Sequence, residues 1–188
     1  MKRGRSITYN SPVVLTFVII SFGVMVANYL TAGISNQLLF MTYHSSLASP
    51  LTYVRMFTHV LGHSGWSHYI GNMMYLLLLG PMLEEKYGSR AIIEVILITG
   101  LVTGVATWLL FPGIALCGAS GVVFAFIMMT SFTGFREGEI PLTVILVAVI
   151  FIGQQVYEGL LVQDDISNLG HILGGIVGAA AGYVLNKK

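Results

Sequence analysis

The chain has little charge and almost no cysteine. Nine Lys and Arg and eight Asp and Glu among 188 residues make it 9% charged, against about 25% in an ordinary soluble domain. With 55% of its residues hydrophobic, a soluble globular domain is excluded and the composition is that of a membrane protein. A net charge of +1, with no basic cluster beyond Lys2, Arg3 and Arg5, leaves no electrostatic footprint for nucleic acid. The single cysteine, Cys117, excludes an intrachain disulfide and a cysteine-built metal cage. The redox compartment stays unread.

What the chain does have is a series of apolar runs. A bilayer core of ~30 Å takes about 20 helical residues, and six runs approach that length: 12–34, 68–83, 91–111, 118–135, 140–157 and 166–185. The first has a basic flank, yet it exceeds the ~7–15 residue apolar core of a signal peptide and no clear small-x-small cleavage site follows. A long polar and aromatic outer loop, 35–67, separates the first run from the second and carries His44, His59 and His63, with His68 just beyond it. Short cytoplasmic loops collect Lys and Arg. Six spans with both termini cytoplasmic put every basic residue except Arg55 on the inner side, whereas one span more or fewer scatters them. The expected fold is therefore an all-α membrane protein, a six-helix bundle forming one domain over residues 1–188.

This topology assigns depth. Ser120 lies near the outer end of the fourth span, His171 in the second turn of the sixth, and His68 and Asn72 at the outer start of the second. At 1.5 Å per residue all four fall within ~10 Å of the outer surface. Polar residues inside spans usually face the bundle interior or a water-filled cavity.

Gly118-Ala119-Ser120-Gly121 reads as a tight turn opening a helix. Glycine permits close backbone approach, and the first helical turn leaves amide N–H groups free to bind an anion. A serine there has oxyanion donors beside it if a histidine reaches its hydroxyl; small residues at such a point also serve plain helix packing. His68, Asn72, Tyr75 and Leu79 share one face of the second span. They fit either interhelical hydrogen bonding or side-chain donors to a tetrahedral oxyanion. Gly170, Gly174, Gly178 and Gly182 form a ridge along the sixth span, with His171 on its edge. Close packing of that ridge on Gly118, Ala119, Gly121 and Ala125 brings His171 towards Ser120, which supports a dyad. The carboxylates Asp164, Asp165, Glu84, Glu94 and Glu158 are not placed to complete a triad. His59 and His63 have the i, i+4 spacing of zinc ligands but lack the glutamate of HExxH, so no metal is expected and the loop histidines read as structural.

His63-x4-His68-x3-Asn72, Gly118-x-Ser120-Gly121 and Gly170-His171-x-x-Gly174-x-x-x-Gly178 occur in this order on the second, fourth and sixth spans. Through them the chain resembles the rhomboid intramembrane serine proteases from about Arg55 to Gly182. The resemblance implies Ser120 as nucleophile and His171 as general base, with an oxyanion site formed by the Ser120 N–H, His68 and Asn72 beside Gly118. It implies that Arg55 and Glu84 brace the first loop and the end of the second span. Phe124 stands where many members have a tyrosine stacked on the catalytic histidine; its ring keeps the stacking and loses the hydroxyl. Gly170 replaces a frequent alanine, and Val54 a frequent tryptophan. The implied activity needs no cofactor. It acts on transmembrane segments of other proteins, near the outer face, in a bilayer that is by resemblance a bacterial inner (plasma) membrane. Two other readings stay open: a catalytically silent protein of this fold that binds transmembrane clients, and a proton-coupled transporter using His68 and His171, for which deep carboxylates are lacking.

Overall fold

The computed structural model describes residues 7–134, 139–161 and 165–187. Lys2, Arg3, Arg5, Arg136, Asp164 and Lys188 lie outside the described residues, as do the side chains of Glu158 and Asp165. Among the described residues seven α-helices follow one another: α1 (Pro12–Leu30), α2 (Pro50–Thr58), α3 (Trp66–Tyr87), α4 (Ser89–Leu110), α5 (Ser120–Ser131), α6 (Leu142–Leu161) and α7 (Asp165–Asn186). Of these, α1, α4 and the 168–186 stretch of α7 are long and apolar enough to cross a bilayer. Their outward side chains, among them Ile19, Ile20, Leu97, Ile98, Leu109 and Ile176, are apolar and exposed, while Ser21, Thr99, Thr103 and Thr107 are buried. That inside-out polarity suits a lipid solvent.

Several expected boundaries move, each for a local reason. The first helix stops at Leu30 rather than at residue 34, because Ala32 (φ 50°) and Gly33 (φ 94°) turn left-handed, an arrangement that ends helices. The second runs from Trp66 to Tyr87, longer than 68–83; with His68, Asn72 and the Glu84-Glu85-Lys86 end on it, α3 is not among the helices apolar enough to cross alone. The fourth shortens from 118–135 to the 12 residues of α5, about 18 Å of helix. Gly118 at φ 138° delays its start. This short helix is packed against α3, α4, α6 and α7, so its environment is protein on several sides.

The loop 35–67 is not simply irregular. A π-helical turn (Asn36–Phe40), a strand β1 (Thr42–Tyr43), α2 and a 3₁₀ turn (His59–Leu61) fill it. Pro50 starts α2 at a position where no amide donor is needed. The helix buries Thr52, Arg55 and Met56 and leaves Leu51, Tyr53, Val54 and Phe57 exposed. Gly104 of α4 lets it sit close, since a Cβ there would lie 2.8 Å from the Met56 Cα. Arg55 spreads over the Tyr43 ring, 4.3 Å from its centroid, and donates to Tyr43 Oη at 2.7 Å and Ser45 Oγ at 3.1 Å. Antiparallel pairing of β1 with β2 (Ala115–Leu116) ties this loop to the segment entering α5.

At the opposite end of α3, the buried Glu84 accepts four hydrogen bonds: from Ser11 Oγ (2.5 Å), the amides of Val13 and Val14 (3.0 and 3.1 Å) and Ser89 Oγ (2.7 Å). Those amides belong to the first turn of α1, where helices lack internal acceptors, and a carboxylate complements the positive end of the helix dipole. One side chain thereby joins α1, α3 and α4.

The most intimate contact is between α5 and α7. A Cβ on Gly174 would lie 2.8 Å from the Gly121 Cα, and one on Gly178 would lie 2.6 Å from the Ala125 carbonyl carbon. The backbones touch along two turns, which only small residues allow.

Candidate active site

The site begins at the turn before α5. The Gly118 amide donates to the His59 carbonyl at 2.9 Å, so Gly118 contributes space to the site and its N–H is already used. Its left-handed backbone and missing side chain admit the His68 ring: a Cβ there would lie 2.6 Å from His68 Cε1, 2.8 Å from Nε2 and 3.8 Å from Asn72 Nδ2. His68 and Asn72, one turn apart on α3, therefore crowd the backbone two residues ahead of Ser120. The amides of Ser120, Gly121 and Val122 precede the first helical bond, Val123 N to Ala119 O at 2.9 Å, and occupy the turn where donors lack helical acceptors.

Asn72 Nδ2 is buried and has no hydrogen-bond partner among the described residues. Leaving such a donor unmatched costs roughly 1–3 kcal/mol, and in a folded protein an orphan of this kind asks for a ligand or a catalytic role.

His171 reaches the same place from α7. Gly174, three residues further on, is the residue pressed against Gly121, and Gly121 also faces the Gly170 carbonyl. The His171 ring lies 4.4 Å from the Phe124 ring at an interplanar angle of 41°, and Phe124 in turn lies 4.4 Å from Phe151 of α6. Ser120, His171, His68, Asn72 and Phe124 line one open cavity of about 490 Å³ with Ser67, Tyr75 and Gln154. All the side chains singled out from the sequence for the site meet there. A larger concavity, about 610 Å³, opens at the far end of α3 around Glu84 and Glu85 and contains no part of this group.

Some neighbours were not legible beforehand. Behind Ser120 a gap of about 10 Å³ is bordered by His59, Thr103, Gly118 and Gly170. Burial lowers the His59 pKa to about 4, leaving a neutral ring. Its Nδ1 donates to the Arg55 carbonyl at 3.2 Å, and Nε2 faces the Thr103 hydroxyl at 3.1 Å. The signal for Thr103 was present: Thr99, Thr103 and Thr107 recur every four residues along α4 and are all buried, a polar stripe at helical spacing. Burial, reinforced by repulsion from His68, also lowers the His63 pKa to about 4. Ser64 Oγ lies 3.1 Å from His68 Nδ1. Burial pushes the Cys117 thiol up to about 11, so it is no thiolate at neutral pH. Among the described residues no three His, Cys, Asp or Glu converge on a point where a metal would bind, and both ring nitrogens of His59 are engaged.

A family profile described as the Rhomboid domain matches residues 50–188. The mouse protein named rhomboid-related protein 2 is 31% identical over 160 residues, covering 74% of this chain and 53% of its own. The chloroplastic rhomboid-like protein 11 of Arabidopsis thaliana is 23% identical over 186 residues, covering 90% of this chain and 64% of its own. The chain thus spans a little over half to under two thirds of the length of these relatives.

Proposed function

The chain belongs to the rhomboid family and is an integral membrane protein, and on that premise we propose that it is an intramembrane serine endopeptidase using a Ser120–His171 dyad. The observation that carries the reading is the unmatched, buried Asn72 Nδ2 in a cavity shared with Ser120, His68 and His171. A donor without an acceptor is what a site built for a developing oxyanion contains before substrate arrives.

In this mechanism Ser120 Oγ attacks the scissile carbonyl carbon while His171 takes the hydroxyl proton. The carbonyl oxygen, now anionic, accepts from the Ser120 amide, Asn72 Nδ2 and His68 Nε2. His171 returns its proton to the leaving amine, the C–N bond breaks and an acyl-serine remains. Water reaching the open cavity then attacks the ester with His171 again as base, and Ser120 regains its proton. Phe124 holds the His171 ring from one face. The six spans of the reading correspond to α1, α3, α4, α5, α6 and α7 with both termini cytoplasmic. The short α5 starts below the outer surface, so the nucleophile sits at the floor of a cavity that admits water. Substrates are transmembrane segments that unwind locally, because a helical carbonyl is already hydrogen-bonded and shielded.

The test is labelling of the detergent-purified protein with a fluorophosphonate, read by intact mass in wild type, Ser120→Ala and His171→Ala. One adduct in wild type, absent from both variants, supports the dyad. A folded wild type that stays unlabelled while Ser120→Ala still binds a transmembrane client would replace the protease by a client-binding protein.

A further inference from the structure

His68 enters the proposed oxyanion site through one nitrogen, and an imidazole is a donor at that nitrogen only in one of its two neutral tautomers. The two ring nitrogens have different surroundings. Nε2 lies against the Gly118 backbone, on the side where Asn72 Nδ2 waits without an acceptor. Nδ1 lies 3.1 Å from the Ser64 hydroxyl, which has no other hydrogen-bond partner among the described residues. Ser64 precedes α3, and its side chain spans the first helical turn to reach the ring four residues on.

The ring is also confined. His63 meets it edge-on, with centroids 5.1 Å apart and planes at 71°. His63 is itself buried; its Nδ1 donates to the Leu61 carbonyl at 3.2 Å, and its own carbonyl accepts from Asn36 Nδ2 at 2.9 Å. A half-turn of the His68 ring, which would put Cδ2 where Nδ1 is and Cε1 where Nε2 is, would have to pass this wall and the Gly118 backbone.

We propose that Ser64 is a positioning residue whose hydroxyl donates a hydrogen bond to His68 Nδ1, thereby keeping the single N–H of the neutral ring on Nε2, where the oxyanion needs it. His63 holds the ring in that orientation. This assignment rests on the proteolytic reading for its purpose, though not for its detection. A tautomer locked in advance spares the site a proton shift during the reaction.

Two measurements test it. In protein labelled with ¹⁵N-histidine, with the His68 signals identified by their loss in His68→Gln, wild type is expected to show a protonated Nε2 and a hydrogen-bond-accepting, unprotonated Nδ1. Ser64→Ala is expected to show both tautomers. A proton on Nδ1 in wild type, or an unchanged tautomer in Ser64→Ala, overturns the proposal whether or not the protein proves to be a protease. The second measurement follows kcat and KM on a reconstituted transmembrane substrate. Losing one ordinary hydrogen bond should lower kcat roughly 2- to 10-fold in Ser64→Ala with KM unchanged, as for a group acting only in the transition state, and Ser64→Thr should restore it. If Ser64→Ala keeps full kcat, the role assigned to Ser64 is wrong even though the protease stands. If wild type itself neither labels nor cleaves, the protease reading fails and the nitrogen spectra alone decide the hydrogen bond.

Discussion

Substituting Gly174 by alanine probes the link between helix packing and the site with a single methyl group. The new Cβ would lie 2.8 Å from the Gly121 Cα, whereas non-bonded carbons settle at about 3.5–4.0 Å. The helices α5 and α7 must then part by about 1 Å, since the obstacle is backbone and has no rotamer to turn. Overpacking of this kind costs about 1–3 kcal/mol, and the better helix propensity of alanine returns up to about 1 kcal/mol. A net loss of roughly 1–2 kcal/mol is expected, visible as a lower unfolding temperature in detergent. The effect on turnover should be far larger. His171 is on α7 one turn before Gly174, and Ser120 adjoins Gly121, so the separation opens between the two side chains of the proposed dyad. A misplacement of about 1 Å can cost about 100-fold. Cleavage of a reconstituted transmembrane substrate and the rate of fluorophosphonate labelling should fall together by that order. Gly23→Ala is the control: nothing lies within 4 Å of a Cβ there, so α1 should gain stability and activity should not change. A Gly174→Ala protein as stable and as active as wild type would refute the packing argument and the dyad geometry drawn from it.

Further expectations follow from the same contacts. Asn72→Ala should lower kcat about 10–1000-fold through loss of one oxyanion donor while stability holds or rises, because a buried unmatched group disappears; unchanged kcat would remove Asn72 from the mechanism. Glu84→Ala strands the amides of Val13 and Val14 and the hydroxyls of Ser11 and Ser89, and should cost at least about 3 kcal/mol; thermal unfolding within 1 kcal/mol of wild type would contradict the brace. The His59 pKa falls from 6.5 to about 4 on folding. Between those values the unfolded chain binds a proton that the native one refuses, so stability is complete above pH 6.5 and falls as pH drops towards 4, by on the order of 3 kcal/mol. Unfolding measured across that window should become shallower in His59→Gln, with His63, whose pKa burial also lowers to about 4, keeping part of the slope; an equally steep profile in the variant would exclude His59 as a source. Phe124→Tyr should keep activity, because the ring that meets His171 and Phe151 is preserved; a large loss would mean the cavity cannot hold the hydroxyl.

Much of this protein is determined by its sequence alone, because the relevant physics is local. Low charge and long apolar runs set the solvent, and a 1.5 Å rise per residue gives the depth expected for Ser120, His171, His68 and Asn72 in the proposed topology. Four-residue spacing puts His68 and Asn72 on one face of α3 and lines up the glycines of α7. Gly118 beside Ser120 announces a backbone that only glycine accepts, and its φ of 138° is the observed form of that requirement. Helix limits were less legible where left-handed residues cut them short, at Ala32 and Gly33 and again at Gly118. The loop 35–67 was the least legible part. Its order comes from contacts between distant residues: Arg55 on Tyr43, β1 on β2, and α2 seated on Gly104. The tertiary structure alone decided which partner each polar group would find. Glu84 caps α1 across 70 residues of sequence, the His59 carbonyl takes the Gly118 amide, Ser64 faces His68 Nδ1, and Asn72 Nδ2 is left with none. Hydrogen bonds are satisfied in space and not along the chain, so a sequence names the donors while the packing of helices decides which of them is left unpaired.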